Sequence, residues 1–193
     1  MLVSLTGFAG VVTDKLTADD FPATTTSYTD FTGVQKNSAA VYAGQSAKDA
    51  DGNIQMRSKN SNSGIVSTTS GGKVKSVTIT VGASNTNTIE VYGSNTAYTS
   101  AADLYATSGN TNQGTKVGTL TKTGTITFTE EYKYVGIRSN TGAIYLASVE
   151  VEWTTAEEGN VNAPSFTPSE GKFVGSVEVS LKADDGCTSV TPV

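Results

Sequence analysis

Residues 145–153 read Tyr-Leu-Ala-Ser-Val-Glu-Val-Glu-Trp. Tyr145, Ala147, Val149, Val151 and Trp153 share one parity, while Ser148, Glu150 and Glu152 take the other. Side chains along a strand alternate between two faces, so this run predicts a strand with one apolar face and one wet face. That is the pattern of an antiparallel sheet covered on one side only. On this parity Tyr145 and Trp153 both point inward, and Trp153 is expected in the core rather than as a binding platform.

The same period recurs upstream. Val77, Ile79 and Val81 alternate with Ser76, Thr78 and Thr80, and Ile89 and Val91 with Glu90 and Tyr92. Ile126 and Phe128 alternate with threonines, and Val135 and Ile137 oppose Tyr134 and Arg138. Between the runs lie turn-forming stretches: Ser70-Gly71-Gly72, Asn85-Thr86-Asn87, Ser108-Gly109-Asn110, Lys122-Thr123-Gly124 and Asn140-Thr141-Gly142. Many short alternating strands with such turns predict a β-sandwich or barrel. Helix is scarce. Thr17 to Asp20 and Ser100 to Asp103 each fit a capping box for a single turn, with no amphipathic continuation.

Composition narrows the chemistry. Of 193 residues, 16% are charged, below the ~25% usual for soluble domains. Thr (31 residues) and Gly (20) dominate instead, and β-branched Thr suits a pleated, half-wet surface. The net charge is −5 and the 13 basic residues are scattered, which argues against nucleic acid as a partner. There is no His, so a Ser-His-Asp or Cys-His relay and a His-ligated zinc are excluded. The single Cys187 excludes an intrachain disulfide.

Organisation follows from shifts in pattern. Residues 1–12, MLVSLTGFAGVV, are apolar and end in small-x-small at Gly7-Phe8-Ala9. They read as the back half of a secretory signal peptide, with an N-terminal strand of the domain as the other reading. No stretch reaches the ~20 apolar residues of a membrane span. Residues 13–153 are read as the sandwich domain and 154–163, without alternation, as a linker. Residues 164–193 open on Pro164-Ser165-Phe166-Thr167-Pro168 and include the alternating Val177, Val179 and Leu181. About thirty residues cannot bury a core of their own, so this piece is read as the start of a truncated second module.

Two stretches resemble known families. Ile89 to Trp153 contains IEVYGSNTAYTSAADLY and YKYVGIRSNTGAIYLASVEVEW. It resembles jelly-roll modules of bacterial secreted and cell-surface proteins, of the galactose-binding-like or carbohydrate-binding-module type. Pro164 to Leu181, PSFTPSEGKFVGSVEVSL, resembles the opening of the chitobiase/β-hexosaminidase C-terminal type of repeat, an immunoglobulin-like sandwich. The expected fold is therefore all-β, an antiparallel jelly-roll β-sandwich with the start of a second Ig-like β-sandwich module. The resemblance implies a non-catalytic accessory module in a longer exported or cell-surface chain, binding a polysaccharide or glycoconjugate. It implies no cofactor and leaves a structural calcium open. The alternative is a structural or adhesive surface module, such as a fibre subunit, with no small-molecule ligand.

Sugars are held by CH faces stacked on rings together with a few placed polar groups. Tyr42, Tyr98 and Tyr105 are read as loop aromatics. Met56-Arg57-Ser58-Lys59-Asn60 and Ile137-Arg138-Ser139-Asn140 echo each other, each placing an Arg at a strand end before an Asn-containing turn. The candidate ligand-binding set is Arg57, Asn60, Tyr98, Arg138 and Asn140. In the competing reading each Arg stacks on a Tyr or bonds turn carbonyls. Asp49-Ala50-Asp51-Gly52-Asn53 has the alternating oxygens of a calcium loop but no distal carboxylate at EF-hand spacing, and an Asp-Gly turn is the plainer reading. The adjacent acids at Asp19-Asp20, Glu130-Glu131, Glu157-Glu158 and Asp184-Asp185 are read as solvated turn charge rather than as a glycosidase pair.

Overall fold

The computed structural model describes residues 10–25, 27–57, 62–82, 87–105 and 112–155, all within one compact unit spanning Gly10–Thr155. The expected second module, residues 1–9 of the expected leader and Asn60 lie outside the described residues.

Eleven strands are present among the described residues: β1 Val11–Leu16, β2 Thr29–Gln35, β3 Val41–Lys48, β4 Ile54–Met56, β5 Gly64–Thr69, β6 Lys73–Val81, β7 Ile89–Ser94, β8 Thr115–Leu120, β9 Gly124–Thr127, β10 Tyr134–Ser139 and β11 Ile144–Thr154. Every pairing is antiparallel. The first strand begins at Val11, so Val11 and Val12 pair with Thr154 and Trp153 inside the sheet. The two capping boxes form single 3₁₀ turns, Ala18–Asp20 and Ala101–Leu104.

The strands stack in two layers. One holds β1, β4, β6, β9 and β11, the other β2, β5, β7, β8 and β10. Strand β3 belongs to both: Val41–Gln45 pairs with β5, and Ala47 and Lys48 pair with β4. At the far ends of the hydrogen-bonded path lie β8 and β9, joined by only Thr121-Lys122-Thr123. The sheet therefore turns one corner through β3 and nearly closes into a barrel at the other edge. Between the layers Leu16, Ile54, Met56, Ile65, Val77, Ile79, Val91, Ile137, Leu146, Val149, Val151 and Trp153 form one buried core. The all-β antiparallel architecture is the expected one.

The decisive strand departs from its simple parity. Leu146 faces Val81 and Ser148 faces Thr80, so β11 advances two residues for one on β6. An extra residue in a ladder reverses the faces beyond it. Val149, Val151 and Trp153 point inward as expected, but Ile144 and Leu146 join them before the bulge, and Tyr145 and Ala147 turn outward. Tyr145 is half-buried on the outer face rather than inside.

Trp153 is fully buried and helps fasten the first strand. Its Nε1 donates to Asp14 Oδ2 at 3.0 Å, where Tyr42 Oη (2.7 Å) and Ser38 Oγ (2.5 Å) also donate. Asp14 Oδ1 accepts from the Asn37 and Ser38 amides at 2.9 and 2.8 Å. A carboxylate with no exposed surface is tolerable only when its lone pairs are filled, and five donors fill these. Tyr42, expected on a loop, is thereby an interior residue of β3, and burial beside Asp14 pushes its phenol well up.

Candidate functional site

The outer face of the second layer sets up the site. Ala43, Val66, Gly136, Tyr92 and Lys116 form one row across β3, β5, β10, β7 and β8. The segment after β7 folds over this row. Its Ser100 side chain accepts the Ala102 amide to start the 3₁₀ turn, and Leu104 lands on Gly136. A Cβ on Gly136 would lie 2.4 Å from Leu104 Cδ2, so glycine lets Leu104 sit directly on the sheet and a larger residue would displace its side chain. Ala43, Val66, Tyr92, Tyr98, Leu104 and Tyr105 make a second small core there. Both faces of β7 are consequently covered, and every residue of that strand is buried.

This cover explains the fate of two expected loop aromatics. Tyr98 is 1% exposed and its Oη donates to the Gln113 carbonyl at 3.0 Å. Its ring is packing, not an open platform, and burial drives its phenol up. Tyr105 is buried too. Its Oη donates to the Ser63 carbonyl at 2.7 Å, and the Arg57 carbonyl lies 3.4 Å away.

Arg138 extends under the same cover. It lies opposite Glu90 in the β10–β7 register. Its Nε and Nη2 donate to Glu90 Oε2 at 2.9 and 2.8 Å. The guanidinium carbon stands 4.8 Å from the Tyr105 ring centre and 5.4 Å from that of Tyr92. Glu90 also accepts from Tyr92 Oη at 2.7 Å and from Lys116 Nζ at 3.1 Å. Burial would raise the Glu90 carboxyl, but the bonds from Tyr92, Arg138 and Lys116 outweigh it and hold the group below its ordinary value. Burial, with the Glu90 bond, pushes the Tyr92 phenol up to about 12, and burial takes Tyr105 to about 12 despite the Arg138 charge beside it. This is a closed structural knot, with little of Arg138 left for a ligand.

Arg57 is placed differently. It follows β4, its amide donates to Ser63 Oγ at 2.8 Å, and its side chain is exposed. The guanidinium carbon lies 4.9 Å over the ring of Tyr28, which is half-buried. Burial raises the Tyr28 phenol, the Arg57 charge pulls it back, and the nearby Tyr145 phenol adds to the rise. Tyr145 and Gln55 are cross-strand partners, and Gln55 Nε2 donates to Tyr145 Oη at 3.4 Å. Tyr28, Gln55, Arg57 and Tyr145 thus form one partly open patch of two phenol rings, an amide and a guanidinium.

Tyr105 touches the Arg57 backbone and the Arg138 side chain, while the two guanidinium groups lie over different rings. Both stack on tyrosines, as the competing reading held. Asn140 is exposed, and its amide donates to the Thr88 carbonyl at 2.9 Å in the turn leading to Ile144, whose partner across the sheet is Met56. Sequence reasoning passed over Tyr28 and Glu90 and turned Tyr145 inward. Tyr28 sits in a Thr-rich stretch without alternation, and Glu90 occupies a position that alternation assigns to water.

Other acidic groups have local duties. Asp49 Oδ1 accepts the Asp51 and Asn53 amides at 2.9 and 2.7 Å, and Oδ2 accepts Asn53 Nδ2 at 2.8 Å. With Gly52 at φ +82° this is an Asp-Gly turn whose carboxylate is taken up by N–H donors. Asp19 pairs with Lys48 and Asp20 with Lys36. Among the described residues no group of three or more His, Cys, Asp or Glu could hold a metal ion, and no helix is long and apolar enough to cross a membrane. No protein-family model, no curated protein and no solved structure matches the chain.

Proposed function

We propose that residues 13–153 form a non-catalytic glycan-binding module of an exported or cell-surface protein. The observation that carries this reading is the patch of Tyr28, Gln55, Arg57 and Tyr145 at one end of the sandwich. Rings that offer a face, next to an amide and a guanidinium that offer donors, are the ingredients of a sugar site. The reading also draws support from the likeness of Ile89–Trp153 to galactose-binding-like jelly-roll modules, from the leader-like character of the apolar residues before β1 and from the Ig-like start after Pro164. The binding residue taken over from the original set is Arg57; Tyr28, Gln55 and Tyr145 join it. Arg138 and Tyr98 belong instead to the covered cluster on the outer face of the second layer.

The test is retention of the chain on immobilised plant, host and bacterial polysaccharides, beside Tyr145→Ala. Retention on at least one polymer, lost in that variant, is the expected result. Absence of retention on all of them removes the glycan reading, and regular polymers of the chain under the electron microscope would then favour a structural or adhesive role.

A further inference from the structure

We infer that the glycan is anionic, with a carboxylate or sulfate on the sugar gripped by Arg57; the inference rests on the glycan-binding reading above. Its starting point is the distribution of cations. Lys15, Lys36, Lys48, Lys73, Lys75, Lys116 and Arg138 each hold a carboxylate of the protein. Arg57 holds none among the described residues. Lys122 and Lys133 share that condition, but Lys122 stands in the β8–β9 turn and Lys133 just before β10, and neither is seen stacked on an aromatic ring as Arg57 is.

Arg57 is also fixed in place. Its backbone is tied through Ser63 Oγ and faces Tyr105 Oη, and its guanidinium lies on the Tyr28 ring. The guanidinium carbon lies 4.9 Å over the Tyr28 ring, and the guanidinium N–H donors turned away from that residue have the fork geometry that matches the two oxygens of a carboxylate or sulfate. Stacking also restrains the side chain before binding, so less rotamer freedom is lost on capture. Arg57 occupies one face of Tyr28, which leaves the Tyr145 ring, brought outward by the β11 bulge, to take the CH face of the sugar beside Gln55. The net charge of −5 opposes unspecific adsorption of a polyanion, so attraction to one reports a local site.

The experiment compares four immobilised probes with the full chain: polygalacturonate, dextran sulfate, unmodified dextran and neutral galactan. Retention at least tenfold stronger on one anionic polymer than on either neutral one is expected, weakening as salt is raised. The two anionic arms separate carboxylate from sulfate. Arg57→Ala should bring the anionic arms down to the neutral level. Arg57→Lys should recover only part of the loss, because an ammonium keeps the charge without the fork. Lys122→Ala and Lys133→Ala should leave retention unchanged, and circular dichroism verifies that each variant is folded. Equal retention on neutral and anionic polymers, or an equal loss in the lysine variants, overturns the anionic inference and leaves glycan binding standing. No retention on any probe overturns the anionic inference; whether the glycan reading falls with it is then decided by the wider polysaccharide panel.

Discussion

Two arginines begin from nearly the same words, Met56-Arg57-Ser58 and Ile137-Arg138-Ser139, and end in opposite circumstances. Arg138 lies between two tyrosine rings with its charge answered by a carboxylate that is 4% exposed. Arg57 lies on one ring, in the open, with no carboxylate among the described residues. The strand-end motif is shared; what differs is the cover. The segment carrying Tyr98, Leu104 and Tyr105 lies over the outer face of β10 and β7 and turns Arg138 into an interior cation, which in turn requires Glu90. Among the described residues Arg57 carries no such cover and is exposed. A cation that the fold must neutralise is part of the scaffold, and one that the fold holds still without neutralising is available to a ligand.

The sharpest way to break this comparison is to remove the answering charge. Glu90→Gln leaves Arg138 and Lys116 without their carboxylate beneath the cover. Breaking a buried pair from one side typically costs 3–5 kcal/mol, and with Lys116 half in solvent about 3 kcal/mol is expected, read as a lower midpoint in urea. The pH dependence carries the same information. Glu90 is held below its ordinary 4.5 in the folded chain, so its contribution is fully present above that value. It is lost as pH falls from about 4.5 through the lower folded value. Asp20, also held low against Lys36, contributes in the same direction. Wild-type stability should therefore decline on acidification, and the decline should be shallower in Glu90→Gln. An identical acid limb in both proteins would show that Glu90 does not hold the knot together.

Tyr105→Phe acts at a residue that touches both arginines. It removes the hydroxyl that donates to the Ser63 carbonyl and keeps the ring under Arg138. A neutral hydrogen bond is worth about 1 kcal/mol net, and a loss of that order is expected in the urea midpoint. Ser63 anchors the Arg57 amide, so polysaccharide retention should also weaken, by less than in Arg57→Ala. Unchanged retention would separate the two sites and make Arg57 independent of the knot.

The comparison also shows how far the chain could be read in advance. Strands with a dry face and a wet face, such as β6, β9 and the second half of β11, announce themselves by period two, and both 3₁₀ turns by their capping boxes. Strand β3 does not, because Val-Tyr-Ala-Gly-Gln-Ser-Ala-Lys passes from one layer to the other and is covered on both sides for much of its length. Tyr145 was misplaced because a bulge leaves no mark in a string of residues until the partner strand is known. Arg57 and Arg138 were legible as two strand-end arginines in similar sequence surroundings. Their divergence was not, since it depends on Glu90, a long-range partner across the sheet, and on a cover supplied by another part of the chain.

The smallest expected effect discriminates most finely. Arg57→Ala removes one exposed cation–ring contact and no ion pair among the described residues, and exposed contacts of that kind are worth about 0.5–1 kcal/mol at most. The Tyr28 phenol loses the charge that pulls it down and should titrate higher, visible in its ultraviolet absorbance. A change in the urea midpoint equivalent to about 0.5 kcal/mol, together with loss of polysaccharide retention, is the signature of a residue that the fold positions without needing it. A drop as large as that of Glu90→Gln would instead make Arg57 a second structural arginine, and the distinction between the two sites would collapse.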